Sequence, residues 1–173
     1  LSSAYNNTVS GNNITNTGYG VCLISSSGSI VSENTITNTT SYGVRLSSSS
    51  GNTVSGNNIT NNNGDGVLLQ LSSGNIISGN TITNIHNYPG VELRSACNNT
   101  ISGNTITNTD SGVELRLASY NNTISRNTIA KNNHGIGLSS SSGNKFYHNN
   151  LINNTAQAYI ATPGYPNSWD NGY

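Results

Sequence analysis

Residues 52–74 read NTVSGNNITNNNGDGVLLQLSSG, and the pattern returns as NIISGNTITNIHNYPGVELRSAC over 75–97 and as NTISGNTITNTDSGVELRLASY over 99–120. The apolar residues of the first unit that recur in the others are Val54, Ile59, then Val67 with Leu69. Val67 and Leu69 are separated by one residue, the period of a strand. Self-similarity at a fixed period of this length marks a repeat architecture, and the repeat decides the fold.

Extended along the chain, one row runs Val9, Val31, Val54, Ile77, Ile101, Ile124, Phe146 and another Ile14, Ile36, Ile59, Ile82, Ile106, Ile129, Leu151, each stepping by 22 to 24 residues. A strand pair follows in every unit, from Val21 with Leu23 to Ile136 with Leu138. Each unit therefore holds three short extended segments joined by Gly, Asn and Ser turns, with no stretch long enough for a crossover helix. Stacked units pair each strand in parallel with its counterpart ~4.8 Å away. These spacings predict an all-β fold: a single-stranded parallel β-helix, or solenoid, of about seven coils of 22–24 residues with three short strands per coil. Parallel crossovers make it right-handed. The repeats span residues 1–155; residues 156–173 are expected as a non-repeat segment whose Pro, Trp and Tyr cover one end, within a single domain that is a piece of a longer chain.

The polar residues acquire structural roles in this frame. Asn12, Asn34, Asn57, Asn80, Asn104, Asn127 and Asn149 form one row whose amides can hydrogen-bond from coil to coil. A second row, Asn16, Asn38, Asn61, Asn84 and Asn108, is interrupted by Lys131 and resumes at Asn153. Gly28, Gly51, Gly74, Asn98, Asn121 and Gly143 share one turn position, and an alternation of only Gly and Asn predicts positive φ there. The chain opens in mid-coil, so an uncovered strand edge is expected at that end.

Six basic and six acidic residues in 173 give no net charge, and charged residues make up 7% against the roughly 25% usual in globular domains. That balance argues against a nucleic-acid or anionic-membrane partner, which needs clustered Lys and Arg. No apolar run reaches the ~20 residues of a membrane span, so no membrane insertion is expected in this segment. Sequons at Asn6, Asn13, Asn38, Asn58, Asn98, Asn121 and Asn153 are candidate N-glycosylation sites, although an Asn/Thr-rich chain also makes sequons by chance.

The N-x-I/V-S-G-N-x-I-x-N core with its G-V/I-x-L strand, and the ending NNLINNTAQAYIATPGYPNSWDNGY, resemble the NosD-like parallel β-helix repeats of the pectin-lyase-like superfamily, from Asn6 to Tyr173. The resemblance implies the fold. Relatives implied by it include polysaccharide lyases, hydrolases and epimerases, sugar-binding modules, archaeal and bacterial surface proteins, and a periplasmic protein of copper-enzyme maturation. No family catalytic motif maps residue by residue onto this chain, and fold alone does not supply a mechanism.

The densest charged feature is VELR, at Val91–Arg94 and again at Val113–Arg116. With Val and Leu inward, Glu92, Arg94, Glu114 and Arg116 are expected outward as a surface ion-pair quartet, with Arg45 in the row of the glutamates two coils earlier. Asp65 and Asp110 are expected apart from that row. Two carboxylates one coil apart sit ~5 Å from each other, a spacing retaining glycosidases use, but any stacked acids in a β-helix meet it and adjacent arginines oppose the raised pKa such an acid needs. Tyr19 and Tyr42 hold equivalent positions in adjacent coils, followed there by Asp65, Pro89, Ser111 and His134; the tyrosines face a sugar ring or simply cover a loop. Arg45, Glu92, Arg94, Glu114, Arg116, Tyr19 and Tyr42 are thus the candidate glycan contacts.

Neither a metal site nor a cofactor is expected, because His86, His134 and His148 fall in different parts of their coils and Met is absent. Cys22 and Cys97 lie about three coils, ~14 Å, apart, beyond the ~7 Å a disulfide spans, so both are expected as free thiols or as bridges to another chain. The residues point first to a non-catalytic extracellular structural module of a surface layer, sheath or fibre, able to associate with itself or with other surface proteins through open β-helix ends. The alternative is a polysaccharide-binding or polysaccharide-processing module. A NosD-type role in copper-enzyme maturation stands behind both.

Overall fold

The computed structural model describes residues 1–162 and 166–170. Three parallel sheets of eight, seven and seven strands wrap one core, each coil adding one strand to each sheet. The register is that of the repeat: Ile77 pairs with Val54 and Ile101, Ile82 with Ile59 and Ile106, Val91 with Val67 and Val113. Like residues therefore stack on like. Their inward side chains, Val31 to Phe146 from the first sheet, Ile36 to Ile129 from the second and Val21 to Leu138 from the third, form one continuous buried cluster. Burying each such side chain contributes ~2 kcal/mol. No helix among the described residues is long and apolar enough to cross a membrane.

The corners explain the polar composition. In the Asn12–Asn149 row, Asn57 Nδ2 donates to Val31 O and to Asn80 Oδ1, both at 2.9 Å, while its Oδ1 accepts from the Asn34 amide N and Nδ2. Each buried amide thus satisfies backbone groups on neighbouring coils that the sheets leave unpaired at the bend. Two further ladders were not distinguished by repeat position alone. Asn52, Asn75, Asn99, Asn122, Asn144 and Asn167 form one, which Ser29 enters. The other is in two parts: Asn62 accepts from the Thr39 amide N, and Thr109, Asn132 and Asn154 are linked, with Ile85 holding the position between them.

The row Asn16, Asn38, Asn61, Asn84, Asn108, Lys131, Asn153 is of a different kind. Every member has φ between 52° and 59° and most face solvent, which is why Lys131 is accommodated. The expected left-handed turn is present as well, with φ of 65° at Gly28 and 56° at Asn98 and Asn121. Entry to the third sheet needs glycine for space: a Cβ on Gly66 would lie 2.5 Å from both Gly90 O and Ile82 Cγ2.

Within the segment placed beyond the repeats, Ala156–Ile160 pairs with His134–Leu138, and Trp169 of Ser168–Asp170 stacks on Phe146 at 4.3 Å. Pro163, Tyr165 and Tyr173, expected with Trp169 to cover this end, lie outside the described residues. Cys22 and Cys97 are both free.

Candidate functional site

The outer face of the third sheet gathers the charge. Strand register puts Arg45, Leu68, Glu92, Glu114 and Gly137 in one column and Gln70, Arg94 and Arg116 in the next. The chain turns at the entry glycines, which places Tyr19, Tyr42, Asp65, Pro89, Ser111 and His134 in a third column ahead of these strands. Of the chain's six basic and six acidic residues, three of each lie on this face: Arg45, Arg94 and Arg116 with Asp65, Glu92 and Glu114.

Arg94 grips Glu92 bidentately, Nε to Oε1 at 2.7 Å and the terminal nitrogen to Oε2 at 2.6 Å. Arg116 holds Glu114 Oε1 at 2.6 Å and leaves its Nε 3.8 Å from Glu92 Oε1, so the two pairs join. These hydrogen bonds hold both guanidinium groups still more firmly protonated. The expectation of an exposed quartet is corrected here. Glu92 is 0% exposed and Glu114 is buried, while the side chains of Arg94 and Arg116 are 34% and 46% exposed. Leu68 and Glu114 flank Glu92 on the adjoining coils and Arg94 folds over it, which removes the carboxylate from water.

One further correction follows from the columns. Asp65 does not lie apart from the glutamates: it is fully buried, with Oδ2 3.9 Å from the Arg94 nitrogen that binds Glu92. Arg45 holds its expected place in the column of the glutamates, two coils before Glu92 with Leu68 between; it donates to Gln70 Oε1 at 3.0 Å and lies 5.7 Å from the Tyr42 ring centre. Tyr42 and Tyr19 stand 6.0 Å apart, with Tyr19 48% exposed. At the other end of the face His134 stacks on Tyr159 at 4.7 Å. The charged centre is thus flanked by aromatic pairs along the helix axis. His134 and Asp65 were visible in the sequence as successors to the tyrosines, but only the turn at the entry glycine sets that column beside the glutamates.

Burial pushes the Asp65 carboxyl up to about 8, a rise reinforced by the hydrogen bond and charge of Glu92 and opposed by Arg94 and Arg116. Among the described residues no N–H or O–H group donates to either Asp65 oxygen. Its partner Glu92 is itself an acceptor when ionised, so their contact is a hydrogen bond only with a proton on one of the two. The seven sequon asparagines, by contrast, all sit at exposed positions.

The fold is shared with solved proteins. The periplasmic alginate epimerase AlgG superposes with a TM-score of 0.86 at 21% identity, covering 98% of this chain and 46% of that one. The A-module of the Azotobacter vinelandii mannuronan C-5 epimerase AlgE4 gives 0.69 at 16%, over 94% and 57%. Tailspike protein 2 of an Escherichia coli O157:H7 bacteriophage gives 0.77 at 14%, over 95% and 25%. At these identities the likeness is one of fold, and the chain spans about half the length of the alginate epimerase. No curated protein matches it in sequence.

Residues 61–173 match the family described as periplasmic copper-binding protein (NosD), and residues 1–89 the right-handed β-helix region. Copper does not fit the side chains present. Among the described residues no three His, Cys, Asp or Glu converge where they could share a metal ion, and the chain has no Met. Matched from residue 61 to its last residue, and by the β-helix region before that, the chain belongs to the NosD family of right-handed parallel β-helix repeat proteins.

Proposed function

We propose that this chain is a polysaccharide-binding β-helix module of the periplasm or cell surface, with an acidic polysaccharide lying along the helix axis over the outer face of the third sheet. One observation carries this: half of the chain's charged side chains meet on that face, with carboxylates buried and guanidinium groups left in water. The buried glutamates orient Arg94 and Arg116. Each guanidinium spends two N–H groups on its glutamate and keeps the rest for a ligand carboxylate, the group whose geometry it matches. Tyr19, Tyr42 and Arg45 extend the track, an aromatic face suiting the apolar side of a sugar ring. The solved proteins that share the fold include an alginate epimerase and a mannuronan epimerase, which supports a glycan ligand. Seven exposed sequons suit an extracytoplasmic location.

Affinity electrophoresis through alginate and through neutral dextran tests the assignment. Retardation is expected in alginate only, and is expected to weaken with added salt. An R94A/R116A double variant that folds and is retarded as strongly as the parent would refute it.

A second role, a rigid segment of a surface layer, sheath or fibre, draws on the uninterrupted Asn12–Asn149 amide ladder, which stiffens the rod along its length. Light scattering across a concentration series reads self-association directly. The ladders do not explain why charge collects on one face.

A further inference from the structure

Asp65 is a carboxyl group with no exposed surface, beside another carboxyl group that Arg94 already holds. The Glu92 oxygens receive two hydrogen bonds from Arg94, and the same Arg94 nitrogen passes Asp65 Oδ2 at 3.9 Å, too far to bond it. Both Asp65 oxygens lack any donor among the described residues. Pro89 and Ser111, next in its column, are buried as well. The groups that bear on it electrostatically are Glu92 and Arg94 from the strand Val91–Arg94 and Arg116 from Ser111–Arg116. On the preceding coil Tyr42 precedes it in the column, and Arg45 is turned to Gln70. A second bare negative charge in this place would have neither water nor a hydrogen-bond donor to stabilise it. One proton shared with Glu92 removes that cost and supplies the missing hydrogen bond.

We infer that Asp65 is a positioning residue carried as a neutral acid donating its proton to Glu92, and that this single proton sets the charge presented to an acidic polysaccharide. With the proton in place, three arginines oppose two carboxylates and the face is net positive; without it the face is neutral. Losing the proton also brings a second anion within reach of Arg94, drawing the guanidinium inward from the ligand. The module then captures an acidic polymer in mildly acidic surroundings and releases it in alkaline ones. The ligand half of this inference rests on the function proposed above; the position of the proton does not.

Two measurements on the full chain separate the halves. A carboxyl-carbon NMR titration locates the proton: one aspartate resonance, absent from D65N, is expected to titrate near 8, far above the ordinary 3.8. An Asp65 that titrates with the exposed carboxylates overturns the inference. Calorimetric binding of alginate oligosaccharides at about pH 6 and about pH 9.5 reads the consequence: the parent is expected to lose about fivefold in affinity, and D65N, which cannot ionise, to keep its affinity. An equal loss in both proteins overturns the ligand half. Absence of alginate binding at either pH refutes that half together with the proposed function, and the carbon titration alone then decides the proton.

Discussion

Arg94 and Glu92 lie two residues apart on one strand, and their bidentate contact, at 2.7 and 2.6 Å, folds a half-exposed guanidinium over a carboxylate with no exposure of its own. An i, i+2 pair on the outward side of a strand ordinarily stands in water. Here the neighbouring coils close around the acid and leave only the base outside, so the pair is asymmetric and its two ends have different consequences.

E92Q is expected to destabilise the fold by about 2 kcal/mol in urea denaturation. Removing one partner of a buried pair typically costs about 3–5 kcal/mol, but Arg94 can rehydrate, which reduces the loss. E33Q, at an exposed position, should leave the midpoint unchanged. Equal midpoints for the two variants would show that the Glu92 contact contributes no stability.

Stability should fall as pH rises between the ordinary aspartate value of 3.8 and about 8. The sign is set by proton binding: across that window folded Asp65 holds a proton that the unfolded chain has released, so raising the pH favours unfolding. The stabilisation is complete below about pH 4 and is lost as the folded group ionises near 8. Thermal melts of the parent should show this slope and melts of D65N should lack it; parallel curves would argue that Asp65 ionises normally.

N57A and N58A, one residue apart, should differ sharply. Asn57 bonds Val31 O, Asn80 Oδ1 and the Asn34 amide inside the ladder, and its loss leaves those groups buried without partners, a cost of about 3 kcal/mol. Asn58 faces solvent. If both variants unfold at the parent's denaturant midpoint, the ladder is decoration.

G66A is expected to cost more than about 3 kcal/mol or to prevent folding, since its Cβ would fall 2.5 Å from Gly90 O and Ile82 Cγ2 and neither can move without displacing a coil. G18A, where a Cβ meets nothing within 4 Å, should be neutral. Soluble yield and melting temperature of the pair decide the matter.

Much of the molecule can be read from rows of like residues. Val54 over Val31 and under Ile77, or Gly51 over Gly28, need only the period, because stacking copies the environment of one coil onto the next. The ladders were half legible: Asn57 and Asn58 are the same residue type, and only their place on either side of a bend separates a buried amide from an exposed one. The site was legible as a set of outward residues and illegible as chemistry. Arg45 shares a column with Glu92, yet Leu68 between them sends it to Gln70 and Tyr42.

The sequence by itself determined the coil, its three strands, the register and the faces each residue points toward, since these follow from local extended segments repeated at one spacing. Only the tertiary structure decided that Asp65, from one coil, meets Glu92, from the next, out of water and under Arg94. Direction is a property of a strand. Burial and protonation depend on what neighbouring coils place within a few ångströms, and the period alone does not contain those distances.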